Sequence, residues 1–222
     1  MQTELMWEEI FQNKEWGKYP PEHLIRFIAR NFYNVSNRKE INILELGFGT
    51  GANLWFCARE GFRVNGIEFS KSGIERFQKR MQDENLSSFI GQIEQGDYLD
   101  KLDDFKDESF DCIFDIASLY CNDRQKSKEI LKKVVKKLKK GGKFYSTALS
   151  KKIFGYDENK GDFQEPVEGI YTKVGVLRFD DEQSLKELFG IDDFKINSIF
   201  TQSIQKDKKI VDENIIIETQ KI

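Results

Sequence analysis

The sequence predicts an α/β fold built on a doubly wound, mostly parallel sheet with helices on both faces. Three observations predict it. From residue 41 onward, short apolar runs alternate with helical patterns. A glycine-rich turn, Gly47-Phe48-Gly49-Thr50-Gly51, joins the first apolar run to the first helical pattern. The 222 residues are enough for one domain with a full core and too few for two.

The predicted elements follow one another in a βαβ order after an amphipathic helix over 22–33. Strands are expected at 41–46, 62–68, 90–94, 110–116 and 143–148, with helices at 52–60, 70–84 and 124–140. Gly141-Gly142 is the expected stop of the last of these helices. A helix over 181–189 then precedes strands at 194–204 and 210–219, whose short connection predicts antiparallel pairing.

The cysteine and histidine counts exclude several kinds of site. A single histidine rules out multi-histidine metal centres, and no metal is expected. The cysteines Cys57, Cys112 and Cys121 are odd in number and contain no C-x-x-C pair, which predicts buried thiols in a reducing compartment. No apolar leader and no run near the ~18 residues of a membrane span are present, so a cytoplasmic protein without membrane contact is expected.

Positive charge is concentrated in residues 124–140, which hold nine basic residues against Glu129 alone. Ile130, Leu131 and Val134 belong to an apolar stripe beneath the lysines, and this favours a solvated helix face. The alternative is a nucleic-acid patch, which would normally include interleaved aromatic residues. No nucleic-acid partner is expected.

Carboxylates stand at the expected ends of several strands. Glu45 lies two residues before Gly47, where a carboxylate suits a ligand that carries a cation. Glu68 ends the second strand, where it can accept two ribose hydroxyls. Asp97 follows the third strand, where it can accept a hydrogen bond from an adenine amino group. Read loosely, Gly47-x-Gly49-x-x-Ala52 also fits a dinucleotide fingerprint, so a nicotinamide site and a purely structural turn remain alternatives.

Together these residues resemble the class I S-adenosylmethionine-dependent methyltransferases over about residues 40–220. The family's E/D-x-G-x-G-x-G motif is Glu45-Leu46-Gly47-Phe48-Gly49-Thr50-Gly51, and its turn into the fifth strand is Leu138-Lys139-Lys140-Gly141-Gly142-Lys143-Phe144. The resemblance implies a seven-stranded, Rossmann-like sheet in the order 3-2-1-4-5-7-6, with strand 7 antiparallel. It also implies S-adenosylmethionine as cofactor and S-adenosylhomocysteine as product.

The resemblance further implies which residues contact the cofactor. The glycines would admit the methionine part near Glu45, Glu68 would hold the ribose, and Asp115 would lie beside the sulfonium unless it is only an N-cap. The full set of expected cofactor-binding residues is Tyr19, Glu45, Gly47, Phe48, Gly49, Gly51, Asn53, Glu68, Phe69, Ser70, Gly96, Asp97, Tyr98, Asp115, Ile116 and Ala117.

The whole chain is interpreted as one domain in four parts. These are an N-terminal helical lid (1–40), a cofactor-binding core (41–148), a substrate-covering segment (149–178), and a helix with a C-terminal hairpin (179–222). The expected substrate-binding residues are Trp16, Lys152, Tyr156, Tyr171 and Arg178. Candidate bases are His23, Tyr120 and Asp123, although Asp123 serves equally well as a helix N-cap and the reaction can proceed without a base.

The sequence therefore predicts a methyltransferase that acts on a small molecule, with a hydroxyl of a sugar or similar polar metabolite as the first choice of acceptor. Aromatic residues and cations in the lid and covering segment suggest that choice. An NAD(P)-dependent oxidoreductase is one alternative, supported by the spacing of Tyr156 and Lys160. A methyltransferase of nucleic acid or protein is another, although no Asn/Asp-Pro-Pro-Tyr/Phe sequence follows the fourth strand. Either a monomer or a homodimer is expected.

Overall fold

A computed structural model describes residues 2–222, and their side chains from Leu5 onward. The α-helices are α1 (Gln2–Asn13), α2 (Glu22–Phe32), α3 (Ala52–Arg59), α4 (Lys71–Asp83), α5 (Tyr98–Lys101), α6 (Arg124–Lys137) and α7 (Glu182–Leu188). The strands are β1 (Asn42–Leu46), β2 (Arg63–Glu68), β3 (Ile90–Gln95), β4 (Phe110–Asp115), β5 (Leu138–Ser150), β6 (Phe163–Gln164), β7 (Leu177–Asp180), β8 (Phe194–Lys206) and β9 (Lys209–Lys221).

The main sheet has the predicted order. β3, β2, β1, β4 and β5 are parallel neighbours in that sequence, and β9 pairs antiparallel with β5 while β8 pairs with β9. The expected seventh strand is thus β9 and the expected sixth is β8, so the 3-2-1-4-5-7-6 topology is confirmed. The short strands β6 and β7 were not predicted, and β7 pairs with the last two residues of β5.

The core lies on both faces of this sheet. On β1, Ile43 packs with the cluster beneath α2 and α3, whereas Leu44 packs with the cluster beneath α6. Successive residues of a strand point to opposite faces, so a strand covered on both sides reads as a continuous apolar run. This is why β1 and β4 were recognisable from composition alone.

Two predicted boundaries were wrong. Helix α6 ends at Lys137 rather than at residue 140, because Leu138 adopts an extended conformation and pairs with Phe110. The pairing then shifts register before Cys112, and Gly141 takes a positive φ of 79° within β5. Gly141-Gly142 therefore forms an irregularity inside the strand instead of a helix stop. Helix α1, within the expected lid, was also not assigned from the sequence.

The C-terminal hairpin is longer than predicted. Both β8 and β9 have 13 residues, and the connection between them is the pair Asp207-Lys208, which has positive φ angles of 49° and 64°. Such a two-residue turn matches the twist of the flanking strands. Across residues 2–222, no helix has the length and apolar character needed to cross a bilayer.

Candidate cofactor and substrate cavity

A cavity of about 460 Å³ opens at the carboxyl edge of the parallel sheet. Its walls come from the segments that follow β1, β2, β3 and β4, together with α1 and the chain that leads into α2. Open α/β sheets bind ligands at this edge because the strand order reverses there and leaves a crevice.

The turn after β1 forms the floor of the cavity. Gly47, Phe48 and Gly49 line it. Gly47 has a φ of 67°, a conformation that residues with a side chain rarely adopt. A Cβ atom there would also clash with Ser118, whose Cβ would be 2.6 Å away. Gly51 lies outside the lining. It caps α3 with a φ of 78° and packs against Phe77, so its role in this structure is to shape the turn.

Glu45 lies at this turn with its carboxylate buried. Its Oε1 accepts a hydrogen bond of 2.6 Å from Asn53 Nδ2. Its Oε2 is the only buried side-chain oxygen or nitrogen within the described part of the chain that lacks a hydrogen-bond partner. Burial raises the pKa of Glu45 well above its usual range, against the effect of the Asn53 hydrogen bond, and the nearby carboxylates Asp115 and Glu68 raise it further. Such a group is expected to gain a cationic partner.

Glu68, at the end of β2, links the turn after β1 to the segment after β2 by binding backbone N–H groups of both. It accepts hydrogen bonds from the N–H of Gly49 at 2.7 Å and from the N–H of Ser70 at 2.9 Å. Burial raises its pKa, and these two donors act in the opposite direction. Glu68 and Phe69 line the cavity, whereas Ser70 lies outside the lining, caps α4 and bonds to Glu8 of α1.

The wall after β3 contains Asp97 and Tyr98, while Gly96 lies outside the lining. Asp97 Oδ1 caps α5 by accepting from Leu99 N at 2.8 Å, and its Oδ2 is paired with Lys126. Both carboxylate oxygens thus have protein partners, so recognition of an adenine amino group would use a remaining lone pair. Tyr98 donates its hydroxyl to the Ser118 carbonyl and accepts from Asn122 Nδ2.

Asp115 is fully buried and lies outside the cavity lining. Its carboxylate accepts from the backbone N–H groups of Ser118 and Leu119 and from the hydroxyls of Ser118 and Ser146. It therefore organises the turn after β4 and does not cap α6, whose N-cap is Asp123. Ile116 and Ala117, which follow it, do line the cavity.

Aromatic side chains of the N-terminal segment close the cavity. Trp7, Phe11 and Trp16 form a triad whose ring centroids lie 5.3–5.9 Å apart, and all three line the cavity together with the largely exposed Tyr19. Phe11 lies over the glycine turn, since a Cβ atom on Gly49 would be 3.0 Å from its ring.

Helix α4 holds this segment in place through polar contacts. Arg76 donates to the carbonyls of Gln12 and Lys14, and Arg80 donates to that of Lys18 at 2.6 Å. Glu8 accepts hydrogen bonds from Ser72 at the start of α4. The segment interpreted as a lid is therefore docked on α4 by side-chain hydrogen bonds, most of them to its backbone carbonyls.

Of the three candidate bases, Asp123 alone lines the cavity. It also caps α6 by accepting from Lys126 N at 2.8 Å, so it combines both expected roles. His23 lies outside the lining and shares a 2.7 Å hydrogen bond with the Tyr145 hydroxyl, and burial lowers its pKa. Tyr120 packs in an apolar cluster with Leu149, and burial raises its pKa well above 10.

Most of the expected substrate-binding residues lie outside the cavity. Trp16 lines it, but Lys152 is exposed elsewhere, and Tyr156 packs against Phe179. The Tyr171 hydroxyl donates to Asp212 at 2.7 Å.

Arg178 is buried and ion-paired. Its Nε lies 2.8 Å from Asp180 Oδ2, and its Nη1 donates to the Asn122 carbonyl and to Ser127. This arginine is therefore unavailable to an anionic substrate, and it instead holds the loop that presents Asn122 and Asp123 to the cavity.

Sequence reasoning missed three cavity residues, Cys121, Asn122 and Lys126. Lys126 was interpreted as part of a solvated face, yet it reaches Asp97. Other lysines of the same region also find acidic partners, as Lys133 does with Asp103 at 2.6 Å and Lys139 with Asp111 at 2.7 Å. The excess of positive charge is therefore partly neutralised within the fold.

Comparison with known proteins decides the class of this fold. Residues 43–142 match the sequence profile of a family described as a methyltransferase domain. Over residues 43–142 the chain is therefore similar to methyltransferase domains. This match supports the S-adenosylmethionine cofactor that the sequence resemblance implies.

Three known proteins are similar to this chain in sequence or in fold. A cypemycin N-terminal methyltransferase from Streptomyces is 26% identical over 106 residues, covering 45% of this chain and 38% of the relative's length. A SAM-dependent methyltransferase from Methanosarcina mazei has a TM-score of 0.69 at 20% identity, covering 88% of this chain and 97% of its own. Geranyl diphosphate C-methyltransferase from Streptomyces coelicolor has a TM-score of 0.70 at 10% identity, covering 100% and 99% of the two chains. At these identities the two structures show the fold alone.

Proposed function

We propose that this chain transfers a methyl group from S-adenosylmethionine to a small-molecule acceptor. The observation that carries the proposal is the partnerless Oε2 of Glu45 at the turn that floors the cavity. A buried carboxylate is costly without a cation beside it. The cofactor's amino group is such a cation.

The cavity residues fit the rest of the cofactor as well. Glu45 and Asn53 would hold the amino group, and the backbone of Gly47 and Gly49 would run beside the methionine part. Glu68 would accept from the ribose hydroxyls, and Phe69 and Asp97 would border the adenine. When bound, the cofactor supplies an activated methyl group on a sulfonium, which is a good leaving group.

The chain's own contribution is to orient the acceptor and to exclude water. Alignment of a nucleophile with a reacting carbon is worth about 7–11 kcal/mol in favourable cases. The triad of Trp7, Phe11 and Trp16 covers the cavity with apolar surface, and the loop after β4 presents Asn122 and Asp123 as polar anchors. Asp123 would accept the acceptor's proton where the acceptor is a hydroxyl.

We retain a hydroxyl of a polar metabolite as the proposed acceptor, with one change. Lys152 and Arg178 do not line the cavity, so these residues no longer favour an acceptor that carries an anionic group. An amine is the second candidate, because aromatic rings and a carboxylate are the groups that bind cationic amines. The similarity to an N-terminal methyltransferase supports it.

Ligand binding tests the proposal first. S-adenosylhomocysteine is expected to raise the melting temperature in proportion to the logarithm of its concentration, and NAD is expected to leave it unchanged. Gly49→Arg, which would fill the floor, should abolish the shift. A shift with NAD and none with S-adenosylhomocysteine would favour the oxidoreductase alternative.

Methyl transfer from labelled cofactor to panels of alcohols and amines then tests the acceptor class. For a hydroxyl acceptor, Asp123→Asn should lower the rate by roughly 10²–10⁴-fold. For an amine acceptor the loss should be small and should diminish as rising pH deprotonates the amine. Asp192→Asn, at an exposed position away from the cavity, is the matched control.

A further inference from the structure

Strand β8 forms an open edge of the main sheet. Within residues 2–222, its 13 residues pair with β9 alone, so the backbone groups on its outer side have no strand partner. Its second half, from Phe200 to Lys206, is exposed. Two large apolar side chains there face solvent, with Phe200 at 40% and Ile204 at 58% exposure.

The central part of this edge lacks charge and proline, and the irregularities in its pairing with β9 lie toward its two ends, at Ile196–Ser198 and Ile204–Gln205. Soluble proteins place charged residues, prolines or short strands at such positions to prevent pairing with other chains. Residues 196–205 contain no charged residue and no proline, although 33% of the whole chain is charged. Lysines stand only at the margins of this uncharged stretch, at Lys195 and Lys206.

The sequence of β8 is complementary to itself in an antiparallel register centred on Phe200, which lies between the two irregularities of the strand. That register sets Phe200 opposite Phe200 of a second copy, and Ile196 opposite Ile204. It sets Lys195 opposite Gln205 and Lys206 opposite Phe194, so no lysine faces another lysine. Apolar and aromatic pairs stabilise opposed strands, whereas directly opposed like charges destabilise them.

We propose that the protein forms a homodimer through antiparallel pairing of β8 with β8 of a second copy, centred on Phe200. Two nine-stranded sheets then join into one continuous sheet across a twofold axis. The proposal does not depend on the methyl-transfer reaction, since none of the cavity residues lies on β8.

Mass measurement across a dilution series tests the dimer directly. Multi-angle light scattering or analytical ultracentrifugation should give twice 26.1 kDa at high protein concentration and a shift to 26.1 kDa on dilution. Phe200→Lys places like charges opposite each other and should raise the dimer dissociation constant by roughly tenfold or more. Thr201→Lys, which removes no apolar surface, should weaken the dimer in the same direction.

Charge exchange tests the register. At a concentration where the wild type is dimeric, Phe200→Lys and Phe200→Glu should each shift toward the monomer mass, and an equimolar mixture of the two should regain the dimer mass, because residue 200 faces its own copy. Val167→Lys, at a 69% exposed apolar site outside β8, is the matched control and should leave the dimer intact.

Three results would overturn the proposal. They are a wild-type monomer up to the solubility limit, a dimer that survives both lysine variants with unchanged affinity, and a mixture of the position-200 variants that stays monomeric. Circular dichroism of each variant shows that the mass change reflects association and not unfolding.

Discussion

Replacing Glu45 with glutamine is expected to weaken ligand binding while stabilising the ligand-free protein. The side chain is 1% exposed and has one unpartnered carboxylate oxygen. A hydrogen bond to a charged group contributes about 1.5–3 kcal/mol. Loss of the contact to a ligand ammonium should therefore weaken S-adenosylhomocysteine binding by roughly 10- to 150-fold.

The ligand-free protein should respond in the opposite direction. The pKa of Glu45 lies above its ordinary 4.5 in the folded state, so the folded state holds a proton that the unfolded chain releases. Stability from this group is complete below about pH 4.5 and is lost as pH rises through the folded pKa. Glu45→Gln removes this dependence, so its free energy of unfolding should exceed that of the wild type increasingly as pH rises.

Calorimetric titration with S-adenosylhomocysteine measures the loss of ligand affinity. Urea unfolding at a series of pH values from about pH 4.5 upward measures the gain in stability of the ligand-free protein. Glu129→Gln, an exposed position on α6, serves as the control and should change neither. Unchanged ligand affinity in Glu45→Gln would refute the assignment of a cation to Glu45. A variant that is less stable than the wild type at neutral pH would refute the argument from burial.

Three further predictions concern the frame around the cavity. Gly51→Ala should lower the free energy of unfolding by about 2–5 kcal/mol, from left-handed strain and from displacement of Phe77, whose ring would lie 2.2 Å from the new Cβ; a loss under about 1 kcal/mol in urea unfolding would contradict this. Arg178→Met should cost about 1–3 kcal/mol by leaving Asp180 Oδ2 unpartnered while Arg124 still pairs with Oδ1, and adding Asp180→Leu should recover part of it; equal or greater loss in the double variant would contradict the ion-pair account. Burial raises the pKa of Cys121 to about 12, so its alkylation rate should climb about tenfold per pH unit from pH 7 to 10, and a plateau near the ordinary 9.0 would contradict it.

Sequence alone predicted the sheet because its signals are local. Some signals belong to short segments and do not depend on distant parts of the chain. These include the apolar runs of β1 and β4 and the glycine at position 47, which has a positive φ. Glu45 and Glu68, which the sequence predicts as cofactor-binding residues, both line the cavity, because the ends of neighbouring parallel strands meet at one edge.

The substrate side could not be predicted in the same way. Arg178 was predicted to bind substrate, but its partner Asp180 and the Asn122 carbonyl come together only through the pairing of β7 with the end of β5. Lys126 was assigned to solvent by its position on an amphipathic helix, although it reaches Asp97, 29 residues away in the chain. Contacts of this kind depend on the packing of distant segments, for which a single sequence holds no direct signal.

The most direct test of the account is a structure of the protein with S-adenosylhomocysteine bound. The ligand's amino nitrogen is expected to lie within hydrogen-bond distance of Glu45 Oε2, about 2.7–3.2 Å, beneath the ring of Phe11. A ligand bound outside the cavity, or one whose amino group leaves Glu45 Oε2 without a partner, would contradict it.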